Sequence, residues 1–282
     1  MKKKGISKKA AKYWAGYAVK IIIGLVICTP LLVCFMSSIK VEAEVVNSLG
    51  LQALLPPAHP TIQNFIDVCT KVPMHRFLLN TLIQCASVIV SQVVFCSLAA
   101  YALTYFDFRG KNLLFTFILT TMMIPGDVVI IANYLQIQEW GLLNTYTALF
   151  ITSLVGGTDI FLIRQYFKQM PREISEAAVM DGCGKWRFMY KIAMPMAKAP
   201  IVSLAITGFI GAYNMYFWPL LVTNKTEMRT VQVGMAMLRS QENLFYGRVL
   251  AGAMICAVVP MVLFLFAQDH IIKGMSAGAV KG

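Results

Sequence analysis

Apolar residues in this chain gather into six long blocks, at about 15–37, 77–104, 113–133, 146–166, 199–222 and 249–268, with polar stretches between them. A helix needs roughly 20 apolar residues to cross a bilayer, because lipid offers backbone N–H and C=O groups no partner outside the segment. Each block reaches that length, so the pattern predicts an all-α, polytopic helical bundle of six transmembrane helices. No internal repeat, low-complexity tract or linker divides residues 1–282, which read as one transmembrane domain. The longest interruption on one side, about 40–75, contains LLPPAHPT, whose prolines favour extended or turned backbone. It reads either as a small cap or as an irregular loop.

The interruption at 167–198 has a pattern of its own. Pro171 suits the first turn of a helix, and Glu173 falls in the same turn, where the helix dipole favours an anion. EISEAAVM is good helix-forming sequence, and Gly182 follows Asp181 where a left-handed residue would end the helix, with Gly184 as a second release point. Beyond that turn Trp186, Met189 and Ile192 recur every third residue, with Phe188 four before Ile192, while Lys185, Arg187 and Lys191 point elsewhere. This spacing predicts a second short amphipathic helix, closed by Pro195 and Pro200 before the fifth block. Two short helices around a glycine turn make a compact knob, and the small Ala177 and Ala178 let another surface approach closely. The same spacing also suits an amphipathic connector lying on lipid headgroups.

Charge fixes an orientation. The chain carries a net charge of +12, which on a soluble surface would suggest nucleic acid. Its placement points to lipid instead. Six lysines precede the first block, and lysine and arginine beside a span stay on the cytoplasmic side. Starting inside, six crossings return the carboxyl end to the cytoplasm and put 18 of the 25 basic residues there, including Arg109, Lys111 and the run from Arg164 to Lys198. The predicted location is therefore a membrane, with both termini on its cytoplasmic side, lipid as a partner and no nucleic acid. A cleaved leader over 1–43 fits less well, because the first block outruns an ordinary leader core. With 58% hydrophobic and 13% charged residues, the composition excludes an ordinary soluble domain, which devotes about a quarter of its residues to charge.

Chemistry is sparse. A phosphate-cradling loop needs G-x-x-x-x-G-K-[ST], and the Gly-Lys pairs here are followed by Asn112 and Trp186. His59, His75 and His270 are scattered, and the seven cysteines form no C-x-x-C pair, so packing rather than metal or disulfide chemistry accounts for them. No cofactor is expected on this chain. Charges inside spans are costly and face a cavity or partner. Asp127 after Pro125-Gly126 and Asp159 after Gly156-Gly157 each adjoin a helix interruption, and read either as path-lining groups or as an interfacial residue and a subunit contact, respectively. Tyr213, Asn214 and Tyr216 offer aromatic faces beside an amide, which suits a sugar ring. Trp218 reads as part of an interfacial belt. Asn80 and Gln84, one turn apart, line a path or tie helices together. Lys225, Arg229, Arg239 and Arg248 fall outside, where they meet an acidic partner or only water.

The 173–200 stretch resembles the EAA motif of permease subunits in ABC importers, carried by Glu176, Ala177, Ala178, Asp181-Gly182, Ile192 and Pro195, with Met194 where the family usually has leucine. The resemblance extends through NTLIQ (80–84), AYALTYFDFRGKN (100–112), FLIRQYF (161–167), YNMYFWPLLVTN (213–224) and GMSAGAVKG (274–282) and narrows to carbohydrate-type importers, similar to the shorter permease subunit of maltose transporters. Tyr213-Asn214, where Trp-Asn is common, looks closer to glycerol-phosphate permeases. The resemblance implies a type I importer permease fold and a coupling helix seated in a separate ATPase subunit, with Glu176 meeting a basic residue there. It also implies a cytoplasmic tail over 270–282 that reaches the ATPases through Ser276, Ala277, Gly278 and Lys281. The implied partners are a second permease in a heterodimer, two ATPases carrying ATP and Mg, and an extracytoplasmic solute-binding protein. An ion-coupled secondary transporter would need coupling carboxylates and internal repeats, and neither is evident.

Overall fold

The structure, a computed structural model, describes residues 8–48, 50–239 and 245–279, and apart from one isolated bridge between Lys40 and Pro60 its regular elements are helical. Helix α1 (Lys8–Ser38) is followed by α2 (Glu42–Asn47), a 3-10 turn at Gly50–Leu54 and α3 (Gln63–Lys71). Then come α4 (Met74–Tyr105), α5 (Lys111–Thr121), α6 (Ile130–Glu139), α7 (Tyr146–Phe150) and α8 (Gly157–Gln169). The central polar stretch forms α9 (Arg172–Met180), α10 (Lys185–Phe188), a π-helical turn over Met189–Ala193 and α11 (Met194–Met196). The chain continues with α12 (Lys198–Tyr213), α13 (Phe217–Val222), α14 (Val231–Arg239) and α15 (Tyr246–Ala279).

One helix per apolar block is not what forms. Among the described residues, Gly16–Ser38, Met74–Tyr105 and Tyr246–Phe266 are long and apolar enough to cross a membrane unaided. Two bent pairs, Tyr146–Ser153 with Gly157–Gln169 (52°) and Lys185–Met196 with Lys198–Tyr213 (76°), raise the number to five if each is one span. The 113–133 block, expected as a single span, is broken. After Thr121 the amides of Met122, Met123 and Ile124 bond only three residues back, Pro125 has no amide to give, and helix resumes at Ile130. The 11 residues of α5 cover about 16 Å, roughly half the hydrocarbon thickness.

The chain forms two compact units, residues 1–72 with 237–258 and residues 73–236 with 259–282. In the first, the 40–72 segment is a built cap. Lys40 is 1% exposed, and its Nζ donates to Ser48 Oγ and to the Gln52 and Ala53 carbonyls, while Asn64 Nδ2 donates to the Ser38 and Lys40 carbonyls. A buried ammonium is tolerable only with such a set of acceptors. The helix dipole of α15 is met here by Glu42, whose two carboxylate oxygens accept from the amides of Tyr246 (2.7 Å) and Gly247 (2.9 Å).

In the second unit α4 is the spine, packed on α12 and α8. Gly157 permits the approach of α8 to α5, since a Cβ there would lie 2.8 Å from Met122 Cγ and 3.2 Å from the Ile118 carbonyl oxygen. Lys111 Nζ donates to the Thr104 (3.2 Å) and Phe106 (2.7 Å) carbonyls, placing a cation where the C-terminus of α4 exposes acceptors. Cys85, Cys96 and Cys256 are buried as small apolar side chains, and no disulfide forms among the described residues.

Candidate functional site

The knob expected from the sequence is built by backbone geometry. Helix α9 starts at Arg172, with Pro171 as its extended N-cap rather than its first helical residue, and ends at Met180. Gly182 takes φ +70°, its amide donates to the Val179 carbonyl (3.0 Å), and the Cys183 amide reaches back to Ala178 (2.8 Å). That pair of bonds is a Schellman closure, and only glycine adopts its left-handed position without strain. Asp181 is the C-cap, and Ala177 and Asp181 stay exposed while Ala178 is buried.

The second half departs from the expected helix. The buried face is Phe188, Met189, Ala193 and Ala197; Ile192 is half-buried, Pro195 is exposed and Trp186 is 66% exposed. Three-residue spacing placed Trp186 on the inner face, but the buried face at this end runs through Phe188 and Met189, and the π-turn at Met189–Ala193 shifts the phase between Trp186 and the buried Ala193 and Ala197. Beneath the knob lies an aromatic cluster. Tyr101 has ring centroids 4.9 Å from Tyr105, 6.3 Å from Phe167 and 6.3 Å from Phe188, and Tyr105 lies 5.2 Å from Phe188. Burial of rings at this density ties the knob to α4 and α8.

Between knob and cluster runs an open groove of about 540 Å³, with Glu176, Val179 and Met180 on one wall and Tyr101, Tyr105 and Phe188 on the other. Val179 and Met180 are 72% and 87% exposed, and Glu176 is exposed with no hydrogen bond or ion pair among the described residues. An unpaired carboxylate between bare apolar side chains suits a protein surface bringing an opposite charge.

The candidates for a solute path are distributed. Asn80 is fully buried and spent: Nδ2 donates to the Glu227 (2.7 Å) and Arg229 (2.9 Å) carbonyls, and Oδ1 accepts from the Tyr146 hydroxyl (2.9 Å). Tyr213 is buried at the end of α12, and Asn214 and Tyr216 fall in the break before α13, where Gln232 Nε2 donates to Tyr213 O (3.3 Å) and Asn214 Oδ1 (3.4 Å). Asp127 is exposed in the 3-10 turn after Pro125. Asp159 sits in the first turn of α8 with its carboxylate folded over Gly156. Trp218 is not an interfacial residue: it is 6% exposed and donates from Nε1 to the Ala148 carbonyl (2.8 Å). Arg248 is not bare either, since it pairs with Asp67. Ser276, Ala277 and Gly278 continue α15 as helix to Ala279, and Lys281 lies outside the described residues.

The chain matches the family of binding-protein-dependent transport system inner membrane components over residues 92–277. It belongs to that family. The arabinooligosaccharides transport system permease protein AraQ of Halalkalibacterium halodurans is 30% identical to this permease, across 90% of this chain and 91% of the relative. The sn-glycerol-3-phosphate transport system permease protein UgpE of Yersinia pestis is 30% identical, across 91% of this chain and 94% of the relative. The fold is shared with a chain of a bacterial ABC transporter involved in import of the acidic polysaccharide alginate, at a TM-score of 0.77 and 22% identity over 95% of this chain and 99% of that one.

Sequence reading missed three residues of this permease. Tyr101 and Tyr166 donate hydrogen bonds to backbone of the knob. Arg164, counted only as an inside charge, is 4% exposed, its guanidinium 3.7 Å from the Phe115 ring centroid and its Nε donating to the Leu103 carbonyl (3.3 Å). Its spacing with the buried Ile160, Ile163 and Phe167 was the available signal.

Proposed function

We propose that this permease is a translocation subunit of an ATP-driven, binding-protein-dependent importer of a sugar or oligosaccharide, working by alternating access. The observation that carries the reading is the Schellman-closed knob that presents Glu176 exposed and unpaired beside bare Val179 and Met180. The knob, with Glu176, Ala177, Ala178, Asp181, Gly182, Ile192 and Pro195, engages a separate ATPase subunit. ATP and Mg belong to two such ATPases, and this chain binds neither. A second permease completes the channel, and an extracytoplasmic binding protein delivers the solute. In this reading six crossings of the inner membrane leave both termini in the cytoplasm, where Ser276, Ala277, Gly278 and Lys281 reach the ATPases. Tyr213, Asn214, Tyr216 and Asp159 contribute to the path, with Asp127 at its edge.

The test is affinity purification from membranes, followed by reconstitution. The permease is expected to bring down an ATPase, and Glu176→Arg to lower both ATPase recovery and uptake at least tenfold, about the cost of a charge-assisted contact turned repulsive. Unaided uptake by the purified permease in vesicles would overturn the reading. The AraQ and UgpE relatives stand at equal identity, so the uptake panel contains both arabino-oligosaccharides and sn-glycerol-3-phosphate.

A further inference from the structure

Two hydrogen bonds reach the backbone of residues 185–196 from the long helices, among the described residues. Tyr101 Oη of α4 donates to the Lys185 carbonyl (2.9 Å), and Tyr166 Oη of α8 donates to the Met196 carbonyl (2.7 Å). The acceptors are the first and last residues of this helical rod, Lys185–Met196, about 17 Å apart along a helix. Met196 is orphaned by covalent chemistry: in a continuous helix its carbonyl would accept from the residue four on, which is Pro200, with no amide hydrogen. The chain bends by 76° there, and the tyrosine hydroxyl takes the place of the missing donor. The other contacts beneath the rod are apolar or aromatic packing around Phe188, Met189, Ala193 and Ala197, with the Lys185 ammonium 4.4 Å from the Phe106 ring centroid. Apolar packing is non-directional and permits sliding, whereas a hydroxyl-to-carbonyl bond fixes distance and direction.

We propose that Tyr101 and Tyr166 are positioning residues that pin the two ends of the rod to α4 and α8, so that movement of the knob is delivered to the long helices instead of being lost as slip. The proposal rests on the reading of the knob as the ATPase contact, and its effect is on coupling, not on docking. Neither hydroxyl bonds to Glu176, and although the Tyr101 ring lines the inner wall of the groove, a phenylalanine there keeps that ring in place.

The experiment uses the assembled transporter in proteoliposomes and measures solute imported and ATP hydrolysed in the same preparation, for Tyr101→Phe, Tyr166→Phe and the double variant. The phenyl ring keeps the packing. The expected result is normal ATPase co-purification and sustained hydrolysis, with solute moved per ATP reduced about threefold in each single variant and about tenfold in the double, as expected for loss of one and two neutral hydrogen bonds. An unchanged ratio in the double variant overturns the proposal, as does a parallel fall of assembly, hydrolysis and transport, which marks a structural role only. Failure of the unmutated permease to recover an ATPase overturns the function proposed above instead, so the two failures are distinguishable.

Discussion

Arg248 Nε lies 2.7 Å from the Asp67 carboxylate, and the same guanidinium stacks 3.7 Å from the Phe245 ring centroid. Both side chains of the pair are mostly covered, at 16% and 17% exposure, so the pair joins α3 to the first turn of α15 in a setting drier than an open surface. The Asp67 carboxyl is held below its ordinary value near 3.8, first by the Gln63 amide (2.7 Å), then by the charges of Arg248 and Lys71, against burial that pulls it upward. A depressed folded value means that the fold favours the ionised form. The contribution is complete above the ordinary value and is lost as pH falls through the folded one. Asp67→Asn should cost about 1 kcal/mol at pH 7 and less at about pH 2.5, below the ordinary carboxyl value near 3.8. Thermal unfolding of both proteins at the two pH values decides it, and an equal loss at both would refute the linkage.

Glu42 acts on the same end of α15. Glu42→Ala strands the amides of Tyr246 and Gly247 and should cost about 1–2 kcal/mol, in line with loss of a helix cap. Hydrogen exchange at those two amides should accelerate before any change in the rest of α15.

Gly182 has φ +70°, and a Cβ added there would meet nothing within 4 Å, so substitution is a matter of backbone and not of space. Gly182→Ala is expected to cost about 1 kcal/mol and to reduce, without abolishing, recovery of the ATPase. Unchanged stability and recovery would show that the left-handed turn is dispensable.

Asn80→Ala leaves the Glu227 and Arg229 carbonyls and the Tyr146 hydroxyl without their shared partner, at about 2–3 kcal/mol, while Tyr146→Phe removes one bond and should cost about 1 kcal/mol. The half-saturating solute concentration per assembled transporter should remain unchanged in both. A shift in that concentration would give Asn80 a place in the solute path.

Local chemistry made the first half of the knob readable. A proline before the helix, an acid in its first turn and a glycine at the left-handed position act within a few residues, so the chain states them directly. Pro125-Gly126 was equally visible, yet averaging hydropathy over twenty positions conceals a break that a single missing amide creates. Trp218 and Asn80 were misjudged or left open because a polar atom in an apolar stretch reads alike whether it meets solute or a carbonyl across the fold. The Ala148 carbonyl that satisfies Trp218 lies 70 positions away. The tyrosine bonds to Lys185 and Met196 share that character. Pro200 announced an orphan acceptor, but not which side chain would answer it.

The wide turn at Met189–Ala193 sets an angular phase. Because one residue subtends about 100° around a helix, deleting a single position there would rotate Trp186 and Arg187 by more than a quarter circle relative to Ala193 and Ala197. The outward row would then offer a different set of side chains while its composition hardly changed. Shifting the length of this turn by one residue is therefore a stronger perturbation of what a neighbouring protein meets than most point substitutions on the row itself.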